Sequence, residues 1–350
     1  MGTINIIGKW NLKENKWSKP KSNEYGKSFS YATYKPILND PNNNQINYII
    51  IANGTRLEQH SKDFKTIDEK ELRIDYVQKY LEKQKENYQI ISLFMDSDAP
   101  IIEESKLFSS HIDSLAQNEN TKSINIISVS KCGTMSFYVP RYFQNEESFE
   151  KTSLHNIAVP YQGTKFASPF VIFNEVKSFL NAKLGKNELS KQSYLALLKM
   201  YKNICSNSHM DYDIALPGGV PIEYNHQYDR SFIRNIFSKE NIESIKKVHL
   251  FKNYTTEIDE KTFLEALFSL NLKGMGLCLF DEFFFHGKSD GLTSLHSQKS
   301  VEQALNIKSS HLKSMHHDVT SIPKVYDVLL KDIDESIQNL RQKKNIRKLV

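Results

Sequence analysis

The sequence predicts an α/β fold: a mostly parallel central sheet flanked by helices. Three apolar runs carry the prediction, INYIIIANGT (46–55), YQIISLFMD (88–96) and SINIISVS (123–130). Each has an apolar centre with adjacent apolar residues rather than strict alternation, as expected of strands covered on both faces. Between them lie segments with helical spacing and charged outer faces, at 67–86 and 103–117. Strand, helix, strand, helix, strand in that order implies right-handed crossovers and parallel neighbours.

The elements follow in turn. Residues 1–45 are polar, with aromatic alternation in YGKSFSYATYKPIL, which predicts edge strands or a hairpin before a turn at NDPNNNQ. The first apolar run closes in Asn-Gly-Thr, a tight loop. The helix at 67–86 reads as a surface helix, and that at 103–117 sets Leu107, Ile112 and Leu115 on one side. Beyond residue 131 the pattern predicts a helix near 133–143, a strand at 153–160 and a long helical excursion over 165–245. A strand at 245–256, a second excursion at 257–285 and a long amphipathic helix at 321–347 complete the chain. The expected organisation is an N-terminal part of the core (1–164), a helical cap insertion (165–245) and a C-terminal part of the core (246–350) holding the second insertion.

A length of 350 residues supports one large domain with a sizeable core. The 46 Lys and Arg stand against 41 Asp and Glu, interspersed, for a net charge of +5. That is a solvated surface, and no nucleic-acid partner is expected. The basic run RQKKNIRKLV near the end reads as a solvated helix end. Cys132, Cys205 and Cys278 are too widely spaced for a disulfide framework or a metal site. The start, MGTINIIGKWNLKENKW, shows no basic leader followed by an apolar core, and Ile6 stands where a myristoylation pattern wants Ser or Thr. No run reaches the roughly 18 apolar residues of a membrane span. The expected location is the cytoplasm, or outside it by a signal-independent route, for instance as a bacterial effector; the Lys, Asn and Ile content fits an AT-rich genome.

The third apolar run leads into Ser-Val-Ser-Lys-Cys-Gly, with two nucleophile candidates, Ser130 and Cys132. A nucleophile elbow, Gly-x-Ser-x-Gly, holds its attacking residue on a strained strand-to-helix turn, where the residues two before and two after crowd each other. Centred on Ser130, the flanking positions are Ser128 and Cys132, small but not glycine. Centred on Cys132, the turn moves beyond the apolar strand and Lys131 falls where the strand should end. The strand register favours Ser130, with Cys132 as a small packing residue. An ordinary strand-to-helix junction with a buried cysteine is the plain alternative.

Five pieces in order, over about 46–330, resemble the α/β-hydrolase fold and its lipase-like branch. They are IIIANGT, with Asn53 where the family has His; SVSKCG at the elbow; IAVPYQGTKFASP, through Pro160, Gly163 and Thr164; KSDGLTSLHSQ; and SMHHDVTSIPKVYDVL. The resemblance implies a triad of Ser130, Asp290 and His316, in the order nucleophile, acid, base. Alternatives stay open: Asp281 for the acid, and His317, or more weakly His311, for the base. It also implies an oxyanion hole from the backbone N–H groups of Thr55 and Lys131, and neither metal nor cofactor.

Two apolar stretches suggest the substrate. SPFVIFNEVKSFLNAKLG (168–185) sets Phe170, Phe173, Val176 and Leu180 at helical spacing. TFLEALFSLNLKGMGLCLFDEFFF (262–285) contains Leu277 and Phe280 and is broken by Lys273, Gly274 and Gly276. Core packing explains both; a lid or acyl trough opening against a lipid surface is the functional reading. The leading expectation is a serine hydrolase of fatty acyl esters: a lipase, phospholipase or long-chain esterase. A thioesterase or acyltransferase using Cys132, and a degenerate hydrolase fold kept as a binding module, are the alternatives.

Overall fold

The computed structural model describes residues 4–11, 16–18, 29–53, 73–95, 101–164, 235–258, 289–290, 293–314, 319 and 322–349. Its strands are β1 (Ile4–Asn11), β2 (Lys16–Ser18), β3 (Phe29–Thr33), β4 (Ile46–Asn53), β5 (Asn87–Met95), β6 (Thr121–Val129), β7 (Thr152–Ile157), β8 (Leu250–Glu257) and β9 (Ser310–Lys313). They form one sheet in the order β2-β1-β3-β5-β4-β6-β7-β8-β9. From β5 to β9 the six strands β5-β4-β6-β7-β8-β9 run parallel. Strand β3 is antiparallel to β5, and β1 pairs with β3 in parallel and with β2 antiparallel. The N-terminal edge strands are therefore present.

The described helices are α1 (Ile74–Leu81), α2 (Ile101–Ala116), α3 (Lys131–Tyr138), α4 (Glu146–Lys151), α5 (Lys239–Lys247), α6 (Leu295–Leu305) and α7 (Pro323–Leu349). Side chains alternate across each strand, so one apolar run feeds two cores. On β6, Ile124 and Ile126 pack with Phe108 and Ile112 of α2, Met135 and Phe137 of α3, Ile245 of α5 and Val301 of α6. Ile127 and Val129 face the other side, with Val77 and Leu81 of α1 and Leu330 and Ile333 of α7. Every residue of β6 is buried, its polar Lys122, Ser123, Asn125 and Ser128 included.

Topology then fixes where a site can form. From β4 the chain steps one way to β5 and then back past β4 to β6. At such a reversal the loops leaving the strands' carboxyl ends diverge to opposite faces and open a crevice. The turn after β6 lies there.

Three sequence expectations shift. Within the described residues the helix expected over 67–86 is α1, and it stops at Leu81. Tertiary contacts end it: the Asn39 amide donates to the carbonyls of Leu81 and Glu86 at 2.8 and 2.9 Å, and Glu86 turns inward to pair with Lys122 at 2.6 Å. The helix expected near 133–143 starts earlier, at Lys131, and becomes a 3-10 turn over Val139–Tyr142, with Pro140 at its start. The strand expected at 245–256 begins at Leu250, because α5 runs to Lys247 and buries Ile245 in the core. Helix α6 and strand β9 were not anticipated.

Candidate active site

Ser130 joins β6 to α3 at φ 56° and ψ −127°. Arg73 and Asn306 also have positive φ, but at ψ 39° and 52° they occupy the ordinary left-handed basin. Ser130 lies outside it, in a region that costs about 1–3 kcal/mol and persists only where the surroundings impose it. The surroundings here are hydrogen bonds. The Ser130 N–H donates to the Ile157 carbonyl at 3.0 Å, and the Ser130 carbonyl accepts from the Gly133 N–H at 2.9 Å. The turn is thus held between the end of β7 and the first turn of α3.

Neither flanking position is glycine, yet both Ser128 and Cys132 fit, fully buried. The glycine that the turn requires is Gly133: a Cβ there would lie 2.1 Å from Val159 Cγ2. The alternative in which Cys132 attacks is set aside on geometry. Its side chain is 0% exposed, in the core with Met135, Phe137 and Ile126. It occupies the small packing position, and its thiol does not reach solvent. Lys131 opens α3, where backbone N–H groups and the helix dipole favour negative charge. Its side chain is also buried.

Asp290 is 0% exposed and lies beside the end of β8, where the Ile258 N–H donates to the Ser289 carbonyl at 2.8 Å. One carboxylate oxygen, Oδ1, accepts from the Thr293 N–H at 2.8 Å. The other, Oδ2, accepts from Thr256 Oγ1 at 2.5 Å and from Gln298 Nε2 at 3.2 Å. Thr256 comes from β8 and Gln298 from α6, so two elements orient one carboxylate. Sequence reasoning missed both residues. The available signal was a pair of threonines, Thr255 and Thr256, near the end of the β8 segment.

His316 and His317 lie outside the described residues, as do Thr55, Phe170, Phe173, Leu277, Phe280 and Asp281. The described chain approaches the two histidines at Ser314, whose N–H donates to the Glu257 carbonyl at 3.2 Å. Glu257 neighbours Thr256, so Ser314 lies beside the strand end that holds Asp290. His311 is on β9, its Nδ1 3.2 Å from Thr255 Oγ1 and its Nε2 3.3 Å from Glu257. Asn53 ends β4, paired with Phe94 of β5. Ser130 follows β6 and Asp290 lies beside the end of β8, both at the carboxyl ends of parallel strands and hence along one edge of the sheet.

The loop after β7 completes this edge. Ala158 has φ 54° and Gly163 has φ 85°, a conformation that suits glycine. Ser297 of α6 ties the loop down, accepting from the Gln162 N–H and donating to the Gly163 carbonyl, each at 3.0 Å. Among the described residues, no three His, Cys, Asp or Glu side chains gather as metal ligands, and no helix is long and apolar enough to cross a membrane.

No known protein-family model matches the chain, and no curated protein does. Solved structures do. A Bacillus licheniformis lipase, BlEst2 in its mature form, is 14% identical over 87% of this chain and 97% of its own, with a TM-score of 0.43. A structure from work on carboxylesterases of the thaumarchaeon Nitrososphaera gargenis is 12% identical over 91% and 98%, with a TM-score of 0.43. A protein of unknown function from Staphylococcus aureus is 12% identical over 94% and 96%, with a TM-score of 0.37. The fold assignment rests on the sheet itself. With β5 and β4 exchanged in spatial order, β3 antiparallel to its neighbour and a strained serine turning the central strand into a helix, the chain has the α/β-hydrolase fold.

Proposed function

We propose that the protein is a serine hydrolase of carboxylic esters, attacking through Ser130. One observation carries the reading: the strained backbone of Ser130, where a non-glycine residue is held at φ 56°, ψ −127° at the carboxyl end of the central strand. Strain of this kind costs stability and clusters at functional sites. An elbow aims the serine hydroxyl out of the sheet edge, where an ester carbonyl can approach.

The chemistry follows from that placement. Ser130 Oγ attacks the carbonyl carbon while His316 takes its proton. Asp290 orients the imidazole and stabilises its charged form. The oxyanion accepts hydrogen bonds from the N–H groups of Lys131 and Thr55, dipoles that need no reorganisation as charge develops. The intermediate collapses, the alcohol leaves with the proton from His316, and an acyl group remains on Ser130. Water, deprotonated by the same histidine, releases the acid and restores the serine. The preference for fatty acyl esters, and contact with a lipid surface, are supported by the apolar stretches at 168–185 and 262–285.

A fluorophosphonate probe with peptide mapping tests the reading. The expected result is modification of Ser130 in the wild type, none in Ser130→Ala, and loss of ester hydrolysis in that variant. An intact protein that stays unlabelled, with detergent present, turns the reading toward a binding module built on the same fold.

A further inference from the structure

The polar interior between the elbow and the acid is continuous. On α3, the Gly133 carbonyl accepts from Asn156 Nδ2 at 3.1 Å and lies 3.0 Å from Ser136 Oγ, whose one proton has a nearer acceptor in Asn156. Asn156, on β7, also accepts from Ser136 Oγ at 2.7 Å and reaches the Tyr161 hydroxyl at 3.1 Å. Tyr161 donates to Asn253 Oδ1 on β8 at 3.1 Å, and Asn253 Nδ2 donates to the Gln298 carbonyl at 3.0 Å. Gln298 Nε2 then meets Asp290 Oδ2. Asn156 and Asn253 are register partners on neighbouring strands. All of these side chains are buried, so water does not compete for the bonds and each is geometrically demanding.

The Gln298 amide has one possible orientation. Its Oε1 faces the Thr256 backbone N–H at 2.7 Å, which can only donate. Its Nε2 carries two protons and faces three acceptors, the carbonyls of Thr256 and Thr293 at 3.1 and 3.0 Å and Asp290 Oδ2 at 3.2 Å, so the protons are shared among groups that can only accept. Three backbone groups therefore fix which end is the donor, an assignment usually left to inference for Gln. That donor end is the one pointed at Asp290. Asp290 Oδ2 therefore faces the donor edge of an amide that cannot flip and carries no charge.

We propose that Gln298 is a positioning residue for the catalytic acid, and that the Asn156–Tyr161–Asn253 chain ties its placement to the Ser130 elbow. This rests on Ser130, Asp290 and a histidine acting as a triad. The network's role is to hold Asp290 Oδ2 from behind and set its distance from α3, so that the acid arrives pre-aimed. Gln298 touches neither substrate nor reacting atoms; it acts through Asp290.

The test compares Gln298→Met, which keeps length and bulk but removes the amide, with Val301→Ala on the same helix, which costs packing alone. With a soluble acyl ester, Gln298→Met is expected to lose about tenfold or more in kcat with KM within twofold. Its rate of labelling at Ser130 by the fluorophosphonate should fall in parallel. Val301→Ala should lower Tm and leave kcat within twofold. Tyr161→Phe, which deletes one hydroxyl mid-chain and keeps the ring, is expected to lose a few-fold in kcat; it supplies the reading if Gln298→Met does not fold. The proposal is overturned if the folded Gln298 or Tyr161 variant labels at the wild-type rate, or if kcat falls only in proportion to Tm across all three variants. In either case a labelled wild type leaves the hydrolase reading standing. An unlabelled wild type removes both.

Discussion

Two polar networks lie back to back across the sheet, built from adjacent residues of the same strands. His155 and Tyr254 face α7, whereas Asn156 and Asn253 face α3 and α6. Behind the sheet the network is charged. Asp332 of α7 pairs with Lys252 at 2.6 Å and accepts from the Tyr254 hydroxyl at 2.5 Å. His155 Nδ1 lies 3.2 Å from that hydroxyl. Because Tyr254 gives its proton to Asp332, His155 must donate through Nδ1. Its Nε2 is buried with no hydrogen-bond partner among the described residues. Burial drives the His155 imidazole down to about 3. Burial alone would raise the Asp332 carboxyl, but Lys252 and Tyr254 bring it below its usual range. In front, the network is made of amides and hydroxyls that do not titrate near neutral pH. The contrast teaches a division of labour. The charged network anchors a long helix and makes stability depend on pH, while the neutral one keeps geometry beside Asp290 independent of pH.

The largest expected effect tests the charged side. His155 is neutral in the folded protein and takes up a proton near 6.5 once unfolded. The unfolded state therefore binds more protons between about pH 3 and 6.5, so stability is full above 6.5 and falls as pH drops through that window. The loss between pH 6.5 and 4.5 should be on the order of 2 kcal/mol from this group. Chemical denaturation at each pH measures it, and His155→Leu should flatten the slope. A slope unchanged in that variant breaks the comparison.

Next in size is Asp332→Ala, which strands the Lys252 ammonium and the Tyr254 hydroxyl. We expect a loss of about 2 kcal/mol, shown by the denaturation midpoint, with kcat within twofold of wild type. If Gln298→Met also shifted the pH slope of stability, the neutral network would not be neutral in effect.

Ser130→Gly sharpens the other end of the contrast. It should abolish hydrolysis yet raise stability by about 1 kcal/mol, because glycine accepts the elbow's dihedrals without strain. Calorimetry showing a lower Tm would mean the turn is not strained in solution. The smallest effect belongs to Tyr80→Phe on α1. The Tyr80 hydroxyl donates to Asp334 of α7 at 2.7 Å, and losing one partly buried bond should cost about 1 kcal/mol with no change in activity.

How much of this was legible in the sequence depends on how local each cause is. Strands β4, β5 and β6 announce themselves through clusters of Ile and other apolar residues that serve both faces of the sheet. Ser130 followed from the length of that last apolar run, which sets where the strand must turn. Asp290 was singled out through the resemblance to the α/β-hydrolase pattern, by its Asp-Gly context and its order after Ser130. By contrast, β9 buries only Leu312 of its residues, too little for a pattern. The need for glycine at 133 comes from Val159, on another strand's loop. Gln298 matters through bonds to Thr256, 42 residues earlier, and nothing in SLHSQKS distinguishes it from a surface glutamine. Asn39 ends α1 from a loop that precedes it by 42 residues, so the charged letters after Leu81 still look helical.

The contact between Gly133 and Val159 also has a consequence for descent. With Val159 Cγ2 occupying the place of a side chain at 133, any residue larger than glycine there needs room made at 159 in the same step or before it. The two positions form a linked pair that lineages can cross only in one order, valine shrinking first. Related chains with alanine at 133 should therefore carry alanine or glycine at 159, and this coupling would mark kinship even where overall identity has decayed.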